Sequence, residues 1–186
     1  EIIKYELKIP VFLDTDVNAA LLAEYVWGNA KNIDNAVYMT VGTGIGGAAM
    51  MNGKLIHGLV HPEMGHMKIP KDEEDTFKGI CKYHGDCLEG LASGLAIEKR
   101  IAKSTIMGTN KIWELESKYL GIAISNLILT MSPERIIIGG GVMNHDGLID
   151  SIRTQTLNTL NSYVLTDKIL DNIDTYIQPP YLKDNA

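Results

Sequence analysis

Two closely spaced reversals inside one apolar stretch, residues 36–57, constrain this chain more than any other feature. Residues 36–41 and 48–51 read as strands on either side of Gly42-Thr43-Gly44-Ile45-Gly46-Gly47. Asn52-Gly53 is a two-residue hairpin signal before a third strand over 54–57. Strands joined by such short turns pair antiparallel. The glycine run contains a formal GxGxxG, but the dinucleotide fingerprint needs a helix opening at its last glycine, and a hairpin follows instead. What remains is a tight turn. Either its exposed amides and the Thr43 hydroxyl approach a phosphate, or it is a plain glycine-rich reversal.

The rest of the chain mixes helices into this pattern. Residues 9–13 read as a short buried strand, and Asp14, Thr15 and Asp16 are N-cap candidates for a helix over 17–27 that Gly28 stops. Residues 88–103 and 112–131 carry helical apolar spacing. Pro133 closes the second before an apolar strand over 135–138 runs into Gly139-Gly140-Gly141. A helix over about 147–160 and a strand near 173–177 follow. This order fits an α/β fold with a mixed sheet. No repeat, low-complexity tract or linker marks a boundary, so residues 1–186 read as a single unit.

Composition excludes several partners. The 186 residues are 45% hydrophobic, enough for a sizeable core. Seventeen Lys and Arg against 23 Asp and Glu give a net charge of −6, with no basic run to neutralise a phosphate backbone, so nucleic acid is not expected as a ligand. No apolar stretch reaches the roughly 20 residues that span a bilayer, and no secretory pattern opens the chain. It reads as cytoplasmic, without a membrane partner. The opening on Glu1 and the stop at Leu182-Lys183-Asp184-Asn185-Ala186 read as cut ends.

The only two cysteines fall in Cys81, His84 and Cys87, a CxxHxxC pattern in a short polar segment. This is metal-ligand spacing. Zinc takes four ligands, and His66 in Glu63-Met64-Gly65-His66 is the nearest candidate for the fourth. Four protein ligands leave no open position, so the ion would be structural, clamping the 63–66 segment onto the one that carries Glu89. The alternatives are a disulfide, disfavoured in a reducing compartment, and two unrelated buried thiols. Asp16, where a strand meets a helix, is either a general base aimed from a rigid element or an N-cap. Asn18, Glu63 and Glu89 either hydrogen-bond sugar hydroxyls or are solvated polar side chains. Gly139 to Gly141 lie beyond a strand end, where open α/β sheets place ligands, and either support a nucleotide or make a tight connection. His57, His61 and His145 read as surface or loop residues without a role.

Together these residues carry a resemblance. Residues 41–66, VGTGIGGAAMMNGKLIHGLVHPEMGH, fit the signature of the ROK family in their glycine spacing and closing Gly-His. LDTDVNAALLAE at 13–24, CKYHGDCLEGLASG at 81–94 and RIIIGGGVM at 135–143 look like further blocks in the family order. The chain resembles most of a ROK sugar kinase, and most closely the bacterial fructokinase branch. The resemblance implies the actin-like, hexokinase-type (ribonuclease H-like) α/β ATPase fold with a mixed sheet and a zinc-binding loop. It implies Asp16 as catalytic base, a sugar site lined by Asn18, Glu63, His66 and Glu89, and zinc held by His66, Cys81, His84 and Cys87. Thr43 and Gly44 would face the transferred phosphate, and Gly140 and Gly141 would border the adenine nucleotide. The implied cofactors are structural Zn²⁺ and Mg²⁺ with ATP; the implied partners are a hexose, ATP and a second copy in a homodimer. Sugar and zinc binding would occupy residues 11–104, and nucleotide binding 105–186.

Many ROK glucokinases have Asn before the catalytic Asp and a CxCGxxGC zinc loop, where this chain has Thr15 and CxxHxxC. Both variants look like the fructokinase branch and point to conversion of D-fructose to fructose 6-phosphate, with mannose or glucose as other acceptors. The family's phosphate-binding Asp-x-Gly-Gly-Thr normally precedes this region and does not occur here. An N-terminal lobe is therefore expected to be missing, and this chain alone is not expected to turn over. Asp184-Asn185-Ala186 resembles the start of the family's closing Asp-Asn-Ala-Gly segment. ROK repressors share the sugar and zinc framework but carry a helix-turn-helix in the N-terminal region, so a sugar-sensing repressor is the second reading.

Overall fold

Residues 2–11, 13–103, 108–164 and 166–183 are described in a computed structural model; Phe12 and the closing Asp184-Asn185-Ala186 lie outside them. Helices α1 (Ile2–Leu7) and α2 (Asp16–Trp27) precede strands β1 (Ala36–Val41), β2 (Ile45–Met51) and β3 (Lys54–Leu55). A 3-10 turn, Met64–His66, and an irregular stretch lead to α3 (Leu88–Ala92), α4 (Gly94–Lys103) and α5 (Thr109–Met131). Strand β4 (Arg135–Gly139) then runs through a 3-10 turn, Gly141–Asn144, into α6 (Leu148–Leu160), α7 (Asp167–Leu170), α8 (Ile173–Tyr176) and β5 (Ile177–Gln178).

The five strands lie in the order β3-β2-β1-β4-β5. β1 pairs antiparallel with β2, Val41 opposite Ile45 across the glycine turn, and parallel with β4, Val37 beside Ile136. β5 continues the parallel half beside β4. The sheet is therefore mixed, as the strand spacing predicts. Its two-residue side-chain period sorts the core into two layers. Val37, Met39, Val41, Ile136 and Ile138 face a large cluster with Leu88, Leu91, Tyr119, Ile124 and Ile152, contributed by α3, α5 and α6. Ala36, Tyr38, Ala48, Met50 and Ile137 face Val17, Ala20 and Leu21 of α2. Helices on both faces explain why β4 reads as an unbroken apolar run. No helix among the described residues is long and apolar enough to cross a membrane.

α2 begins where the capping chemistry puts it. Thr15 is the N-cap, in extended conformation, and its Oγ1 accepts from the Asn18 amide at 3.2 Å, while Asp16 supplies a negative charge in the first turn. Near the other end Glu24 is fully buried, its two oxygens accepting the amides of Asn29 (2.7 Å) and Leu182 (2.9 Å). Beneath α4, Arg100 forms a bidentate pair with Asp75 at 2.9 and 2.8 Å, and the Tyr119 hydroxyl donates to the same carboxylate at 2.6 Å. The Phe77 ring covers the guanidinium at 4.2 Å. Arg100 Nε and Nη2 also donate to Leu91 O at 3.4 and 3.3 Å, so the buried charges are both paired and hydrogen-bonded.

Three expectations are corrected. Ile9 and Leu13 are 53% and 87% exposed and belong to no strand, because among the described residues no strand lies beside them to take up their backbone hydrogen bonds. The helix expected over 88–103 is two helices, broken at Ser93, which turns to extended conformation and caps α4 by accepting the Ala96 amide on its Oγ. The strand expected over 173–177 is mostly the short helix α8, set by the amides of Thr175 and Tyr176 donating to Asn172 O, with only Ile177 and Gln178 in the sheet.

Candidate functional site

Several elements converge on the turn at 42–47, and its glycines are where they touch it. The Gly94 amide, at the start of α4, donates to Gly42 O at 2.7 Å. Glu89, in the first turn of α3, reaches over Gly44, and its Oε2 accepts the Ile45 amide at 3.1 Å. A Cβ on residue 44 would sit 2.7 Å from that oxygen, so only glycine leaves the carboxylate its place. A Cβ on residue 46 would sit 2.9 Å from Val17 Cγ1, which brings the N-terminus of α2, and Asp16 with it, against the same turn. β2 follows directly, which excludes a dinucleotide fingerprint.

A cavity of about 320 Å³ opens beside this turn, lined among others by Thr43, Gly44, His66, Cys81, Glu89 and Ser93. His66 links it to the cysteines. Its Nδ1 lies 3.7 Å from Cys81 Sγ and 3.5 Å from Cys87 Sγ, and its Nε2 lies 4.0 Å from Glu89 Oε1. His84 Nδ1 is 3.7 Å from Cys81 Sγ, and the ligand atoms of His66, Cys81, His84 and Cys87 all lie within 4.8 Å of one another. Tetrahedral zinc with the usual bond lengths separates a sulfur from a nitrogen ligand by about 3.5 Å, so this donor set fits the ion.

The loop is built for that convergence. Cys81 and Gly85 exchange both backbone hydrogen bonds around a knuckle, with Gly85 at φ +66°, while Leu88 donates to Met67 O at 3.0 Å and keeps Cys87 beside the His66 segment. Hydrogen bonding to the backbone at His84 holds the Cys81 thiol below its ordinary range, whereas burial pushes the Cys87 thiol up.

The other expected residues are dispersed around this centre. Asp16 is exposed, its Oδ1 accepting the Val17 amide at 2.9 Å. Asn18 is buried, and its Nδ2 donates to Asp14 Oδ1 at 2.6 Å. Glu63 is exposed at the head of the 3-10 turn, where its carbonyl accepts the His66 amide. Gly140, at φ +97°, is pressed against the Val41 backbone, and Gly141 opens the exposed turn beyond β4.

Two groupings carry no local sequence signal. Asp14, His57 and His61 come together, with His57 Nε2 at 3.0 Å from Asp14 Oδ2. Past the turn after Gly141, a second cavity of about 550 Å³ lies between α5 and α6, lined by Asn110, Trp113, Ser117, His145, Ser151 and Gln155 among others. The Trp113 and His145 rings stack there at 3.6 Å.

Comparison with known proteins gives this geometry its context. A model of the ROK family matches residues 1–175. A fructokinase of Lactococcus lactis subsp. cremoris is 43% identical over 99% of this chain and 62% of its own length. A fructokinase of Zymomonas mobilis is 47% identical over 83% of this chain and 53% of its own. The crystal structure of a ROK hexokinase from Thermus thermophilus superimposes with a TM-score of 0.77 at 24% identity, covering 97% of this chain and 65% of that one. The chain thus spans 62% of the length of the Lactococcus relative, within the part shared with kinases of the hexokinase-type α/β fold. The family match, the two enzymes and the shared fold agree: this chain belongs to the ROK family.

Proposed function

We propose that the complete protein is an ATP-dependent hexose kinase whose preferred substrate is D-fructose, phosphorylated at the 6-hydroxyl, with Asp16 as general base. One observation carries this reading above all. A carboxylate, an imidazole and a hydroxyl-bearing glycine turn (Glu89, His66, Thr43) line one cavity, and the α2 terminus bearing Asp16 abuts that turn. The 4.0 Å between Glu89 Oε1 and His66 Nε2 is too long for a direct hydrogen bond, and a sugar hydroxyl placed between them would bond to both. Asn18 and Glu63 complete the sugar site in this reading. Fructose, rather than another hexose, is favoured by the 43% and 47% identity to fructokinases and by Thr15 and the CxxHxxC loop.

The reaction is a phosphoryl transfer. Asp16 takes the hydroxyl proton as the sugar oxygen bonds to the γ-phosphorus of Mg-ATP, and the bond to the ADP oxygen breaks. The backbone at Thr43 and Gly44 faces the transferred group, and Gly140 and Gly141 border the nucleotide, whose base fits the cavity beside Trp113 and His145. Sugar and zinc binding then occupy residues 11–104, and nucleotide binding 105–186. His66, Cys81, His84 and Cys87 would hold a structural Zn²⁺ that fixes the loop conformation. His66 then presents its second nitrogen to the sugar cavity in an orientation the ion sets. We place the protein in the cytoplasm as a homodimer.

The test is ATP-dependent phosphorylation of fructose, mannose and glucose by the full-length protein, with and without a zinc chelator. Preferential turnover of fructose, falling as zinc leaves, is expected. Sugar binding without turnover of any hexose would replace this reading with the sugar-sensing repressor.

A further inference from the structure

Asp14, His57 and His61 form a second cluster of ligand atoms, separate from the cysteine loop. Their ligand atoms lie within 4.8 Å of one another: His57 Nε2 is 3.0 Å from Asp14 Oδ2, and His61 Nδ1 is 3.9 Å from Asp14 Oδ1. The bonds that protein groups offer here satisfy these atoms only in part. His57 Nε2 lies 3.0 Å from a carboxylate oxygen that calls for a donor and 3.4 Å from Asn18 Nδ2, a donor that calls for a lone pair. One ring nitrogen cannot serve both. His61 Nδ1 is shielded from solvent and has no hydrogen-bond partner among the described residues. The Asn18 side chain that orients Asp14 is itself 2% exposed, so the carboxylate is fixed from the core.

We propose that Asp14, His57 and His61 bind a divalent transition-metal ion of zinc's class at an open, three-ligand site. Two imidazoles and one carboxylate select such an ion over Mg²⁺ or Ca²⁺, which take all-oxygen sets. Zinc-like bond lengths separate nitrogen and oxygen ligands by about 3.4 Å, and the 3.0 and 3.9 Å spacings to the two Asp14 oxygens lie on either side of that value. The ion takes its bond from the lone pair of His57 Nε2 and leaves the Asn18 amide to Asp14 alone, which resolves the conflict at that nitrogen. It also gives His61 Nδ1 the partner it lacks. The Asp14 carboxylate also accepts the Thr15 amide at 2.8 Å, which holds its orientation. With three protein ligands the ion keeps at least one position for water or an exogenous oxygen ligand, unlike the four-ligand cysteine loop. The site stands on its own geometry and does not depend on the kinase reading.

Titration of metal-stripped protein with Co²⁺, followed by absorption, separates the two clusters, because only the cysteine loop yields a thiolate charge-transfer band. The full chain is expected to take up two equivalents, one with that band and one with weak visible bands alone. His57→Gln with His61→Gln should lose the second equivalent and keep the thiolate band, and Cys81→Ser with Cys87→Ser should show the reverse. Both histidines are substantially exposed, so the double variant is expected to keep its fold, checked by circular dichroism. Asp14 is left intact because Asn18 depends on it. Uptake of a single, thiolate-bound equivalent by the full chain overturns the proposal, as does a second equivalent that survives in the double variant.

Discussion

Glu89 holds the Ile45 amide at 3.1 Å across Gly44, the residue whose missing side chain leaves room for the carboxylate. Gly44→Ala should therefore act on the proposed sugar site through Glu89. The expected effect is a KM for sugar raised on the order of tenfold, close to the effect of Glu89→Ala. The lost hydrogen bond contributes about 0.5–1.5 kcal/mol. Parallel kinetics and thermal denaturation of the full-length variants check this. A Gly44→Ala enzyme with unchanged KM would place the carboxylate's role elsewhere.

Asp16→Asn keeps the size of the side chain and removes its ability to take a proton. In the full-length protein kcat should fall by about 10² to 10⁴, while sugar affinity measured by calorimetry stays within a few-fold. Near-normal turnover would return Asp16 to the role of a residue in the first turn of α2.

Removing the proposed zinc from the cysteine loop should loosen the segment from His66 to Cys87 before it unfolds the sheet. Hydrogen exchange of the Cys81, Gly85 and Leu88 amides, all engaged in loop hydrogen bonds, is expected to accelerate on chelation while that of β1 and β4 amides does not. Uniform acceleration would show that the loop is not a separate unit.

The buried pair of Arg100 and Asp75 sets an acid dependence. Burial pushes the Asp75 carboxyl up, but hydrogen bonds from Arg100, Tyr119 and the Phe77 amide outweigh it and hold it at about 2. Its folded value lies below its unfolded one, near 3.9. The stabilisation is therefore complete above about pH 4 and is lost as pH falls toward 2. Arg100→Leu strands the carboxylate and should cost about 3–5 kcal/mol at pH 7. Urea unfolding should show that difference shrinking below pH 4, and a gap that widens in acid would contradict the assignment.

Glu116 predicts the opposite slope. It is 2% exposed, its Oε1 has no partner among the described residues, and burial raises its carboxyl well above the usual range against the pull of Arg100. A folded value above the unfolded one stabilises fully below about pH 4, and this contribution is lost as pH rises. Glu116→Gln, neutral at every pH, should match the wild type near pH 4 and exceed it at pH 8 in chemical denaturation. Equal stabilities at pH 8 would mean that a partner compensates the charge.

What could be read from the sequence was what local chemistry determines. The reversals at Gly42 and Asn52 follow from residue types that favour turns, and the cysteine spacing marks a loop that the structure brings around His66. Tertiary contacts decided the rest. Apolar spacing runs straight through Ser93, and the break there comes with the Gly94 amide bound to Gly42, 52 positions away in sequence. Residues 9–13 have the composition of a strand but no neighbour to pair with. Asp14 meets His57 across 43 positions of chain, a proximity that no window of residues contains.

The parallel pairing of β1 with β4 has a consequence for synthesis. Asn35 and Glu134, bonded at 3.1 Å beside that pairing, are 99 positions apart. As the chain leaves the ribosome, the edge of β1 that β4 will cover waits on the order of 5–20 s at usual elongation rates, with Val37 and Met39 not yet enclosed. A nascent hairpin of β1 and β2 carries an open apolar edge of the kind that chaperones shield, and it is the arrival of β4 that ends its exposure.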